Sequence, residues 1–124
     1  MISLSFSQSY NSTGGNNIYY DGNYTVVTFL ANGTFNVTGT IPNASILIVG
    51  GGGAGYGYAD GGGGAGGLIY LNSSLTLSGN YNITVGAGGG SCPTSTNACT
   101  PSVGNGKNSE IRNSTINYTA IGGM

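Results

Sequence analysis

Residues 45–71 read SILIVGGGGAGYGYADGGGGAGGLIYL, and no other part of the chain constrains its architecture as tightly. Ile46-Leu47-Ile48-Val49 is a short apolar run that leads directly into Gly50–Gly67, where twelve of eighteen residues are Gly. Leu68-Ile69-Tyr70-Leu71 closes the tract. Such a segment makes no helix, since each Gly costs about 1 kcal/mol against Ala in a helix interior. It has no side chains with which to build a core. It can lie flat against other backbone, or take turns with φ > 0 that other residues resist. The rest of the chain therefore reads as strands that hold these glycines in place.

Gly50 to Gly55 also satisfies G-x-G-x-x-G after a buried-looking strand, the pattern of a dinucleotide-binding turn. That fingerprint requires a helix next and an acidic residue about 20 positions further on. Here Tyr56-Gly57-Tyr58-Ala59-Asp60 and four more glycines follow, then Leu68–Ser74 without a carboxylate. The pattern matches by composition alone.

Working outward, apolar and polar residues alternate in short runs. Ile2, Leu4 and Phe6 alternate with Ser3, Ser5 and Ser7, a two-residue period that specifies a strand. Asn11–Asn17 reads as a polar linker or turn. Ile18–Tyr20, Asn23–Leu30, Thr34–Thr38, Ile46–Val49, Leu75–Ser78, Tyr81–Val85 and Ile116–Ile121 read as further strands. Asn32-Gly33 is the strongest hairpin signal and predicts that Val26–Leu30 pairs with Thr34–Thr38. Pro42 marks a bend, and Gly79-Asn80 a turn. About eight short strands in a chain of 124 residues predict one all-β domain, a jelly-roll-like β-sandwich with glycine-rich loops. The expected division is a strand and linker over 1–17 and a glycine-rich sandwich domain over 18–124.

Only Asp21, Asp60, Lys107, Glu110 and Arg112 are charged. Two cations cannot make a phosphate-binding face, so nucleic acid is excluded as a partner. The longest aliphatic run is four residues, so no transmembrane helix and no membrane insertion are expected. Met1–Phe6 has neither a basic nor an apolar leader region, so no signal peptide is expected. The chain is then either numbered after processing or leaves the cell another way, such as in a virion. Cys92 and Cys99 are too few for a metal site without His, and are expected to form a local disulfide. Such a bond suggests an oxidising location or a hyperthermophilic source.

Five segments in order, YTVVTFLANGTFNV, ILIVGGGGAG, GGGGAGGLIY, LSGNYNITVGAGGG and INYTAIGG, resemble the glycine-rich domain of phage tail fibres, giant-virus proteins and other surface proteins. The resemblance spans roughly Tyr19 to Gly123. It implies an exposed appendage or adhesive part whose glycine tracts pack as layered extended chains.

Catalysis has little to work with. There is no His, and the acid–base inventory is Asp21, Asp60 and Glu110 in turns and strand ends. No catalytic residue, metal or cofactor is expected, and the chain reads as a non-enzyme. The stronger signal is N-x-S/T, present at Asn11, Asn23, Asn32, Asn36, Asn43, Asn72, Asn82, Asn113 and Asn117. With 27 Ser or Thr in 124 residues, fifteen asparagines would give about three by chance. The excess suggests N-glycosylation, which places the chain outside a cell or on a virion surface. Glycans would also hydrate a surface that lacks charge. Asn36, Asn82 and Asn117 fall inside strands and need their side chains on the outer face.

Two functions from different classes fit. One is a structural subunit of an extracellular or virion-attached filament, a homopolymer in which Ile2, Leu4 and Phe6 form a strand donated to a neighbour. The other is an adhesin that recognises cell-surface glycans through Tyr56, Tyr58 and Asp60 in the glycine loops. Pairing of the N-terminal strand within its own chain is the alternative to donation.

Overall fold

The computed structural model describes residues 1–54, 64–90 and 104–123. Within them the chain is all β, as its alternation requires: β1 (Ile2–Ser7), β2 (Asn11–Thr13), β3 (Asn17–Asp21), β4 (Tyr24–Phe29), β5 (Gly33–Val49), β6 (Leu68–Thr84), β7 (Ser109–Arg112) and β8 (Asn117–Ala120). The strands form one antiparallel sheet in the order β3-β4-β1-β5-β6-β7-β8, with β2 also on β5.

β5 and β6 are each 17 residues long and run through regions expected to break. The predicted turn at Gly79-Asn80 and bend at Pro42 are irregularities inside continuous strands. Register shifts fall between Val37 and Thr40, Ile41 and Ala44, and Ala44 and Ile46, with positive φ at Gly39, Asn43, Ser73 and Gly79. Bulges bend a strand and raise its twist. The first half of β5 pairs with β2 and the second half of β6, while its second half pairs with β1 and the first half of β6. The sheet thus folds across its own middle into two layers, a sandwich-like arrangement that does not close into a barrel.

The core lies between the layers. Phe6 and Phe29 of one layer meet Phe35 of the other at ring-centroid distances of 6.2 and 6.1 Å, and Tyr81 stands 6.4 Å from Phe35. Ile2, Leu4, Val27, Ile46 and Ile48 surround them on one side, and Ile41, Leu77, Ile83 and Ile111 on the other. Each such side chain stabilises the fold by about 1.5–3 kcal/mol relative to exposure. Tyr81 keeps its hydroxyl satisfied by accepting the Ser78 N–H at 2.8 Å.

Two local expectations fail. Asn32-Gly33 does not close a hairpin, because β4 pairs with β1 and β3 and not with β5. Neither residue takes the positive φ of a type I′ turn, and the loop instead crosses from one layer to the other. Asn32 serves that crossing by accepting the Val85 N–H through Oδ1 at 2.8 Å. Of linker and turn, the two readings of Asn11–Asn17, only the linker fails, since the segment is a turn between paired strands. Asn11–Thr13 pairs with Asn36–Thr38, Gly14 and Gly15 turn with φ of 104°, and Asn17 already belongs to β3. β7 has one large apolar residue, Ile111, and its alternation is too short to single it out in the sequence.

Candidate functional site

The N-terminal strand occupies an unusual place. β4 and β5 are consecutive in the chain and separated by three residues, yet β1 lies between them. Ile2 faces Phe29 on one side and Ile48 on the other, and Leu4 faces Val27 and Ile46. Ile2, Leu4 and Phe6 are 0, 0 and 1 % exposed. In the single chain β1 therefore pairs with its own β4 and β5, the intrachain alternative of the sequence reading. It sits at the centre of its layer, with a ladder on both sides. The layer's open edge is β3, where Ile18, Tyr19 and Tyr20 are each more than half exposed.

At one end of the sandwich the glycine tracts form a second structure that has no side-chain core. Five segments meet there: 50–54, 64–67, 86–90, 104–108 and 121–123. The Gly50 and Gly53 N–H groups donate to the Gly67 and Gly64 carbonyls at 2.9 and 2.8 Å. Those of Gly51 and Ala54 donate to Lys107 and Gly104 at 2.9 and 2.7 Å. Partners thus repeat every third residue, the period of a polyproline-II-like chain, which has no internal hydrogen bonds and must find them laterally. The carbonyls of Gly51 and Gly52 accept from Gly123 and Gly89 at 2.7 and 2.8 Å, so segment 50–54 is bonded to all four others.

At most of these glycines, packing this close leaves no room for a methyl group. A Cβ on Gly51 would lie 2.0 Å from the Ala87 carbonyl oxygen, and one on Gly106 would lie 2.0 Å from that of Gly51. Among the described glycines, positive φ is confined to Gly14, Gly15, Gly22, Gly39 and Gly79, outside the bundle. Of the two uses open to a glycine tract, close backbone approach is the one realised here. Ser109 joins bundle to sandwich: fully buried, its hydroxyl donates to the Val49 carbonyl at 2.7 Å and accepts the Gly86 N–H at 2.9 Å.

The stretch of sequence that carries these glycine tracts matches a known family. A family model described as a glycine-rich domain matches residues 25–124. The chain belongs to the glycine-rich domain family. No curated protein and no solved structure matches it. The family domain takes in β4 from its second residue, β5 to β8 and all five bundle segments, whereas β1, β2 and β3 precede it. A segment outside the family domain thus supplies the strand that separates two of the domain's own.

The remaining site residues divide by position. Asn11, Asn23, Asn32, Asn43, Asn72, Asn82 and Asn117 are exposed, while Asn36 and Asn113 are half-buried. Of the three sequons inside strands, Asn82 and Asn117 meet the requirement for an outward side chain more fully than Asn36. Asn113 Oδ1 accepts the Thr115 and Ile116 N–H groups at 2.8 and 2.9 Å and so caps the turn between β7 and β8. The expected disulfide of Cys92 and Cys99 and the ligand loop of Tyr56, Tyr58 and Asp60 lie outside the described residues. Asp21 is on β3 and Glu110 on β7, far apart in the strand order. Glu110 pairs with Arg112 at 3.2 Å and accepts the Thr119 hydroxyl at 3.2 Å.

A groove of about 410 Å³ on the outer face of the β1-containing layer was not singled out from the sequence. Tyr19, Tyr24 and Tyr70 line it with Ser3, Ser5 and Ser45, beside the apolar Val26 and Leu47. The same alternation that buries Leu4 and Ile46 aims these serines and tyrosines outward, but only the strand order brings five strands' outward residues together.

Proposed function

We propose that the chain is the structural subunit of an extracellular or virion-attached filament, N-glycosylated, whose subunits join by exchange of β1. The observation that carries this reading is the position of β1, outside the family domain and between two of its consecutive strands. A β1 from a neighbouring copy would make the same two ladders and bury the same Ile2, Leu4 and Phe6, so exchange preserves every contact except those at the hinge. Gln8–Tyr10, or Gly14-Gly15-Asn16 if β2 moves with β1, would supply that hinge. Head-to-tail exchange is heterologous and does not close, so it propagates a fibre. Exposed β3, whose edge has no lysine and carries only Asp21 as a charge, and the charge-poor surface suit close lateral association. The resemblance to glycine-rich domains of tail fibres and giant-virus surface proteins points to the same kind of appendage.

Deleting Met1–Tyr10 tests this. The expected product is a monomer that does not polymerise and that the peptide ISLSFSQSY converts to a capped one-to-one complex, seen by light scattering and electron microscopy. Filaments of normal length from the deletion variant would overturn the proposal.

A further inference from the structure

One sequon is built into the groove. In β6 the pairing passes from Leu71 opposite Ile46 to Leu75 opposite Ala44, so Asn72-Ser73-Ser74 stands against Ser45 alone. This bulge lifts the whole sequon out of the ladder, with Ser73 at φ 55°. Bulges of this kind re-aim a side chain. Ser45 holds the bulge by accepting the Ser73 N–H at 2.9 Å, and its hydroxyl donates to Asn72 Oδ1 at 3.3 Å. The Ser73 hydroxyl donates to the same oxygen at 3.3 Å. Two hydroxyls thus fix the amide by its oxygen, while among the described residues Nδ2 makes no hydrogen bond. Asn72 is exposed and lines the groove.

We infer that Asn72 carries an N-linked glycan whose first sugar rings lie in this groove, against Tyr70, Tyr24 and Tyr19 of the same chain. The inference rests on the reading of the chain as an exported glycoprotein. The acceptor atom is Nδ2. It bonds to the anomeric carbon of an oligosaccharide delivered as a lipid-linked phosphate ester; the anomeric C–O bond breaks, Nδ2 loses one proton and the lipid phosphate leaves.

Three properties of the groove fit that occupant. Tyr70 and Asn72 are two residues apart on one strand and share its outer face, which sets a ring beside the attachment point. Tyr19, Tyr24 and Tyr70 are 55, 54 and 58 % exposed, and their ring faces can receive the polarised C–H groups of a pyranose. No lining residue is charged, and serine hydroxyls stand among apolar Val26 and Leu47, as suits a neutral polyhydroxylated ligand with apolar C–H faces. The volume lies in the range of small-ligand clefts, roughly 300–1,000 Å³. The glycan would cover three exposed aromatic rings of this face.

The test is to secrete the full chain through a glycosylating host, map each sequon by glycopeptide mass spectrometry, and nitrate the tyrosines of the native chain. The comparison is Ser74→Ala, which removes the sequon and leaves Asn72, Ser45 and Ser73 in place. Asn72 should be occupied, and nitration of Tyr70 and Tyr24 should rise several-fold in Ser74→Ala. Tyr20, on the opposite face of β3, should react equally in both. Sugar at other sequons but not at Asn72 overturns the inference and leaves the glycoprotein reading standing. Sugar at none overturns both. Occupancy without protection shows that the glycan points away, and protection that persists in Ser74→Ala shows another occupant, such as a second copy; either result overturns the inference.

Discussion

The sandwich and the glycine bundle bury backbone by opposite means. In the sandwich the layers are held apart by side chains, about 10 Å as sheets usually pack, and the backbone bonds only within its layer. Phe6, Phe29, Phe35 and Tyr81 fill that space. In the bundle nothing separates the chains, so segment 50–54 can bond to four neighbours. A sandwich tolerates exchange of one apolar side chain for another of similar volume. The bundle tolerates no side chain at all at its inward positions. The comparison shows that tight packing needs no hydrophobic residues when the backbone satisfies itself laterally.

The sharpest way to break this comparison is one methyl group. In Gly106→Ala the new Cβ would lie within 2.7 Å of three backbone atoms, the Gly51 oxygen and carbon and the Gly52 oxygen. Rigid backbone cannot yield cheaply, and the expected cost exceeds about 5 kcal/mol, or the whole stability of the bundle if that is smaller. Hydrogen exchange should show the Gly51, Gly53 and Gly123 amides unprotected while β1, β4 and β5 stay protected. Gly52→Ala is the control, since its Cβ would find its nearest neighbour at 3.8 Å. Equal protection in the two variants would refute backbone-limited packing.

The sandwich should fail differently. Phe35→Ala removes the ring that Phe6, Phe29 and Tyr81 all touch, and should cost about 3–5 kcal/mol in a cooperative denaturant melt. Phe35→Leu should recover much of that loss, a rescue with no equivalent in the bundle. A loss below about 1 kcal/mol for Phe35→Ala would mean that the layers do not depend on this cluster.

Ser109→Ala probes the seam and should have the smallest effect. It strands the Gly86 N–H and takes one of two donors from the Val49 carbonyl, which keeps the Met1 amino group at 3.1 Å, at an expected cost of about 1–3 kcal/mol. If the two regions are coupled through this hydroxyl, exchange of the Gly86 and Gly51 amides should quicken together. Unchanged exchange at Gly51 would show that bundle and sandwich are joined elsewhere.

The strands were legible because burial on one face imposes a two-residue period, and Ile2, Leu4 and Phe6 or Val27 and Phe29 carry it openly. The failures have specific causes. Asn32-Gly33 has hairpin composition, but Phe29 and Phe35 belong to opposite layers, so burying both is incompatible with a tight turn between paired strands. Gly79 looks like a turn because a glycine needing positive φ reads the same in a bulge. The groove went unseen because Tyr19, Tyr24, Ser45 and Tyr70 come from separate strands.

The sequence by itself determined that this is an all-β chain, poor in charge, with glycine tracts that can build neither helix nor side-chain core. Those are consequences of side-chain chemistry, which each residue carries alone. Only the tertiary structure decided that β1 would separate β4 from β5, that the tracts would bond with a three-residue period, and that the Asn72 sequon would stand in a tyrosine groove. Each of these depends on which strands become neighbours. That choice follows from two layers sharing one core and from bulges that let β5 and β6 pass through both.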